Sequence, residues 1–176
     1  MQQNTILIFF VSAIALIAGI FMQTLMTQSS SVQDQQSPQI PQLVIELPDI
    51  TGEQRSISEW QGKIRIINFW ATWCPPCLEE IPEFIKLQDE YKDKNLQFIG
   101  IAIEDKIAVE QYLNSIAINY PMLIAGEEGI ALAQQLGNIV NAVPFTLIMN
   151  QQGQIIHRQP GELSRDKILE IITPLL

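Results

Sequence analysis

Cysteine and histidine are both scarce in this sequence, and their scarcity limits the chemistry open to it. The 176 residues contain two cysteines, Cys74 and Cys77, and one histidine, His157. A single pair leaves no thiols for a structural disulfide elsewhere or for a four-thiolate metal site. Any sulfur chemistry of this chain therefore takes place at one pair of cysteines.

Basic residues are also few. Lys and Arg total 10 against 19 Asp and Glu, which gives a formal net charge of -9, and the first basic residue along the chain is Arg55. This balance argues against nucleic acid as a partner, because binding to phosphates requires a basic face. The chain is long enough for one ordinary domain and a tail, and its 47% hydrophobic residues are sufficient to form a core.

The amino-terminal region lacks charged side chains. An almost uninterrupted apolar run from Ile6 to Met22, extended to Met26, is long enough to cross about 30 Å of hydrocarbon as a helix. We therefore predict a membrane anchor over residues 1–26. A cleaved signal peptide is the alternative, although it would have a basic start and a shorter apolar core. A buried core helix is a further alternative, but such a helix would have a polar side, and this apolar segment has none.

The next segment, residues 27–42, is predicted to be a flexible linker. It is rich in Gln and Ser, contains Pro38 and Pro41, and has no hydrophobic periodicity. A linker of this length reaches roughly 20–25 Å. The short tail before the anchor favours an orientation with the amino terminus inside and the domain outside.

A folded domain is predicted over residues 43–176. Near-continuous apolar runs indicate buried strands at 63–71 and 96–103, and a 3.6-residue period indicates a helix between them at 77–92. The later segments predict a helix at 107–116, a strand at 120–124, a helix at 129–136, a hairpin of strands at 145–150 and 155–159, and a closing helix capped by Ser164. This order predicts an α/β fold, with a central mixed sheet flanked by helices on both faces.

The two cysteines lie where a predicted strand gives way to a predicted helix, in the segment WCPPC. Cysteines at i and i+3 in the first turn of a helix face the same way, at a separation that suits a disulfide. The helix dipole and its unpaired N–H groups stabilise a thiolate at Cys74, whereas Cys77 lies a turn deeper. Pro75 and Pro76 suit a first turn, where an N–H has no internal partner. We therefore expect Cys74 to be an accessible nucleophile and Cys77 to be the resolving thiol.

Other interpretations of a C-x-x-C pair are less well supported. Zinc requires about four ligands, and only the distant His157 could add to the two sulfurs. A c-type haem would require His after Cys77, where the sequence has Leu78. Two buried cysteines that are close by chance are the remaining alternative.

The segment NFWATWCPPC resembles the active-site segment of the thioredoxin superfamily, in particular its membrane-anchored TlpA/ResA-like branch of bacterial thiol–disulfide oxidoreductases. Pro82, five residues after Cys77, resembles the helix-kinking proline of the family. The segment AVPFTLIM resembles the one that holds the family's cis-proline, and GELS also fits this branch. The resemblance covers roughly residues 43–176 and implies a thioredoxin-like fold.

The same resemblance implies a substrate-binding surface around the cysteines. Pro144 would be the cis-proline, in a loop packed beside the disulfide, and the backbone of Val143 would pair with an extended stretch of the substrate. Trp73 would form a flat apolar contact surface, next to Pro75 and Pro76. The alternatives are an ordinary trans proline at a strand start and a half-buried structural tryptophan.

The resemblance also points to an acid–base residue. Asn68 stands where thioredoxin has a buried aspartate, so the proton of Cys77 must go elsewhere. Glu80, three residues after Cys77, resembles a functional glutamate of the branch, and a partly buried carboxylate with a raised pKa could relay this proton. A solvated acidic helix face is the alternative. Weaker candidates are Glu79, Glu83, Glu104 and His157, the last expected to be an exposed structural residue.

Together these features imply a thiol–disulfide oxidoreductase, anchored in a bacterial inner membrane and facing the periplasm, that reduces disulfides in partner proteins. Cytochrome c maturation or a related extracytoplasmic pathway is the expected setting. The Cys74–Cys77 pair would be the redox centre, with no small-molecule cofactor or metal, and a membrane electron-transfer protein would reset it. Alternatives are a thiol oxidase or isomerase, a peroxidase, and a copper-binding metallochaperone-like module that His157 would have to complete.

Overall fold

The structure of the protein is a computed structural model, which describes residues 43–176. The predicted anchor at residues 1–26 and the predicted linker at residues 27–42 lie outside the described residues. Across residues 43–176, every helix is too short or too polar to span a bilayer.

Seven strands and four α-helices are formed by residues 43–176. The strands are β1 (Glu46–Pro48), β2 (Gln54–Ser56), β3 (Ile64–Trp70), β4 (Leu96–Ala102), β5 (Met122–Ile124), β6 (Phe145–Met149) and β7 (Ile155–Pro160). The helices are α1 (Pro75–Tyr91), α2 (Lys106–Leu113), α3 (Glu128–Gln135) and α4 (Arg165–Ile172). Short 3-10 turns occupy Ile57–Trp60, Lys92–Lys94 and Thr173–Leu175.

Five of the strands form a mixed sheet in the order β5-β4-β3-β6-β7. The two central strands, β3 and β4, are parallel and buried along their whole length, as their continuous apolar runs predicted. β6 pairs antiparallel with β3, and β7 pairs antiparallel with β6, so the predicted hairpin is confirmed. β1 and β2 form a separate antiparallel pair.

Helix α1 packs against the sheet through aromatic contacts. The Phe84 ring of α1 stacks on Phe98 of β4, with the ring centroids 5.1 Å apart. Pro82 lies inside α1, which continues to Tyr91. Because α1 begins just after β3 ends, its amino terminus lies at the carboxyl end of the central strands.

The predicted boundaries agree with the structure to within two residues, except for the end of one helix, and two of the differences have local reasons. The helix predicted at 107–116 ends at Leu113, because the Tyr112 carbonyl accepts bonds from both the backbone N–H and the hydroxyl of Ser115. The strand predicted at 120–124 begins at Met122, because Pro121 has no N–H to donate to a ladder.

Candidate active site

Cys74 and Cys77 form a disulfide at the junction of β3 and α1, with their Cα atoms 5.3 Å apart. Cys74 is the N-cap of α1, and its Sγ accepts a hydrogen bond from the Cys77 backbone N–H at 3.3 Å. Pro75 and Pro76 fill the first two positions of the helix. Backbone N–H groups at a helix start stabilise negative charge, so the site favours a thiolate at Cys74 once the disulfide is reduced.

The expectation that Cys74 is accessible is wrong for the oxidised protein. Cys74 is 4% exposed and Cys77 is fully buried. The carbonyl oxygen of Val143 lies 3.5 Å from the Cys74 sulfur, so the loop before β6 covers much of it. Little of the cysteine pair therefore faces solvent, and a partner must fit closely to reach it.

Sheet register explains why Val143 lies so near Cys74. Phe69 of β3 pairs with Phe145 of β6, and these strands are antiparallel, so the loop that leaves β3 meets the loop that enters β6. The Val143–Pro144 peptide bond is cis, as the resemblance implies. The structure thus brings together Cys74, Val143 and Pro144, which are far apart in sequence.

An apolar cleft runs alongside the disulfide. It has a volume of about 250 Å³, and its lining includes Trp73, Ile103, Ile130, Asn138 and Val143. Trp73 is 62% exposed, which excludes a half-buried structural role for it. The cleft offers a bound polypeptide an apolar surface within reach of Cys74.

Glu80 is buried on α1, one turn after Cys77. The residue is 7% exposed, and one carboxylate oxygen accepts a hydrogen bond from the Leu163 backbone N–H. The other oxygen has no hydrogen-bond partner among residues 43–176. Burial raises the pKa of Glu80 to about 7, against the lowering effect of the Leu163 N–H, and the charge of Glu162 adds to the rise.

Asn68 contributes a polar group to the same buried region. It is 3% exposed on β3, and its Nδ2 donates to Thr146 Oγ1 at 3.0 Å. Its amide also lowers the pKa of Glu80, although less than the Leu163 N–H does. The alternative interpretation, in which Glu80 belongs to a solvated acidic helix face, is therefore wrong for this residue.

The weaker candidates lie elsewhere. Glu79 is exposed, and Glu83 forms an ion pair with Lys86 at 2.6 Å. His157 is half-buried on β7 rather than exposed, with its Nε2 3.4 Å from the Gln159 side-chain oxygen. Within residues 43–176, there is no cluster of three or more His, Cys, Asp or Glu arranged to hold a metal ion.

Glu104 supports the loop that carries the cysteines. Its carboxylate accepts hydrogen bonds from both the backbone N–H and the hydroxyl of Thr72, two residues before Cys74. Thr72 was not among the residues predicted from the sequence. The parallel register pairs Trp70 with Ala102, and two more residues along each strand bring Thr72 opposite Glu104. A predicted parallel pairing of β3 with β4 in this register would therefore have placed Thr72 near Glu104.

Comparison with known proteins places this geometry in a family. The Redoxin family matches the chain over residues 34–172. The thiol-disulfide oxidoreductase ResA of Halalkalibacterium halodurans is 30% identical over 132 residues, which is 73% of each chain. ResA of Bacillus subtilis strain 168 is 27% identical over 129 residues, covering 73% of this chain and 69% of that protein.

A solved structure agrees with these relatives. The thiol:disulfide interchange protein of the thioredoxin family from Chlorobium tepidum TLS has 28% sequence identity and a TM-score of 0.67. The match covers 77% of this chain and 94% of that one. The fold is thus thioredoxin-like, with its paired cysteines at the start of α1. This chain belongs to the Redoxin family and is a ResA-related thiol–disulfide oxidoreductase whose redox centre is the Cys74–Cys77 pair.

Proposed function

We propose that this protein reduces disulfides in partner proteins on the outer side of a bacterial inner membrane, in cytochrome c maturation or a related extracytoplasmic pathway. The observation that carries the proposal is the Cys74 sulfur at the N-cap of α1, where it accepts the Cys77 N–H. An oxidising compartment makes a dedicated reductant useful, because thiols there are otherwise lost to disulfides. The apolar run at residues 6–22 supports a membrane anchor.

The first chemical step is attack by Cys74. Its thiolate attacks one sulfur of the partner's disulfide, the partner's S–S bond breaks, and a mixed disulfide forms while the other partner sulfur leaves as a thiolate. An extended partner segment would pair with the backbone of Val143, whose carbonyl already lies beside Cys74. Trp73 and the neighbouring cleft would hold apolar side chains of that segment.

The second step releases the partner. Cys77 loses its proton and attacks the Cys74 sulfur, which restores the Cys74–Cys77 disulfide and frees the second partner thiolate. In sum, two electrons pass from the dithiol to the partner. Glu80 is the proposed acceptor of the Cys77 proton, because a pKa of about 7 lets it take and return a proton near neutral pH. A membrane electron-transfer protein would then reduce the pair again.

Trapping of the mixed disulfide tests the exchange. Full-length Cys77→Ser, expressed in cells, should accumulate adducts on Cys74 that run as reducible bands on a non-reducing gel. Cys74→Ser is the matched control and should accumulate none of these bands. Identical patterns from the two variants, or no adduct on Cys77→Ser, would contradict the proposed exchange.

Direction is tested by the reduction potential of the purified full-length protein. A reductase should have a potential well below that of a strong periplasmic oxidant, which lies at about −120 mV. A value near −120 mV would favour the oxidase alternative.

Protease added to spheroplasts should digest residues 43–176, and full protection would contradict the periplasmic orientation.

A further inference from the structure

Arg65 is a buried cation at the end of the sheet opposite the disulfide. It lies near the start of β3, whereas Cys74 follows the end of that strand, and it is 4% exposed. Its Nη1 donates to the Ile57 carbonyl oxygen at 3.0 Å, and its Nε has no partner among residues 43–176. None of the ion pairs found within that range involves Arg65.

A buried guanidinium without a counter-charge is costly. Arginine keeps its charge in proteins, so burial cannot be relieved by loss of a proton. Removing the partner of a buried charge is strongly destabilising for the same reason. The position of Arg65 therefore calls for an anion close to it.

A small pocket beside Arg65 has suitable chemistry for an anion. Its lining also includes the polar residues Ser58 and Gln61, and none of the lining residues found in 43–176 is acidic. Its volume of about 20 Å³ fits one water-sized atom. Gly153 helps to keep this space open, because a Cβ at that residue would lie 3.1 Å from Nη2 of Arg65.

We propose that this pocket binds one small monovalent anion, either a halide or a single oxygen of a carboxylate, through Arg65, Ser58 and Gln61. An intact sulfate or phosphate is too large for it. The proposal does not depend on the redox function, because the pocket and the disulfide lie at opposite ends of β3.

Chloride binding can be measured directly by the excess ³⁵Cl NMR line width that the full-length protein produces, with formate as the competing carboxylate. We expect formate to remove the excess in the wild type and Arg65→Met to abolish it. Gln61→Leu, at an exposed position, should weaken the broadening without loss of the fold. Arg158→Met is the matched control, because Arg158 also lacks an acidic partner in residues 43–176 but donates to the Leu136 carbonyl away from this pocket.

The proposal is overturned if the wild type shows no Arg65-dependent broadening, or if Arg158→Met reduces the signal as much as Arg65→Met.

Discussion

Glu80 should make the oxidised protein less stable as the pH rises. Its pKa is raised from an ordinary 4.5 to about 7 in the folded chain, chiefly by burial. Below about pH 4.5 the carboxyl is protonated in both the folded and the unfolded chain, so burial adds no penalty. Between the two values the unfolded chain releases a proton that the folded chain retains, and stability therefore falls until the pH exceeds about 7.

The size of the effect follows from the two pKa values. A tenfold change in a protonation equilibrium is worth about 1.4 kcal/mol, so a rise from 4.5 to about 7 corresponds to ~3 kcal/mol of lost stability. Because Glu80 is 7% exposed, solvent screens little of this penalty. Glu80→Gln removes the charge, and its amide oxygen can still accept the Leu163 N–H.

The assay is urea unfolding of the oxidised full-length protein and Glu80→Gln, from about pH 4.5 to about pH 8. The free energy of unfolding of the wild type should drop relative to Glu80→Gln by ~3 kcal/mol across this range. Oxidised cysteines do not titrate, so they do not contribute. Glu79→Gln, exposed on the same helix, should parallel the wild type. If wild type and Glu80→Gln run parallel instead, the assignment of a raised pKa to Glu80 is refuted.

Substitutions at three further contacts test other parts of the structure. Glu104→Ala removes the acceptor of both Thr72 hydrogen bonds and should slow partner-disulfide reduction, whereas Glu104→Gln should retain most of the rate. Equal rates for Glu104→Ala and the wild type in stopped-flow assays would contradict a positioning role for Glu104. Phe84→Ala should lower the free energy of unfolding by about 3–5 kcal/mol in urea, and a loss below about 1 kcal/mol would contradict close packing there. Gly100→Ala places a Cβ 2.2 Å from Met122 Sδ and should cost about 1–3 kcal/mol, with a smaller loss expected in a Met122→Ala background.

Local pattern was sufficient to predict several features of this protein. The apolar runs predicted β3 and β4 because strands buried on both faces need apolar side chains at every position. The WCPPC segment predicted a helix start, because prolines suit the first turn, and Cys74 is indeed the N-cap of α1. Ser164 likewise caps α4, with its hydroxyl accepting the Lys167 N–H. Each of these features depends on residues within a few positions of one another.

Contacts between distant parts of the chain were decided only by the tertiary structure. Val143 covers Cys74 because β6 pairs with β3 in one register, and the resemblance named both residues without showing how little sulfur would stay exposed. Glu80 is held by Leu163, 83 residues away, so its burial cannot be derived from the acidic run around it.

The two ends of β3 illustrate the difference between local and tertiary determinants. From the sequence alone, Cys74 at one end is a nucleophile because local backbone geometry supplies the N–H groups that stabilise its charge. Arg65 at the other end looks like an ordinary strand-start cation, and only the packed structure buries it at 4% exposure beside a pocket that residues 43–176 line without a carboxylate. Local chemistry follows from neighbours in sequence, whereas burial and charge balance depend on which distant segments come together, and strand register determines that.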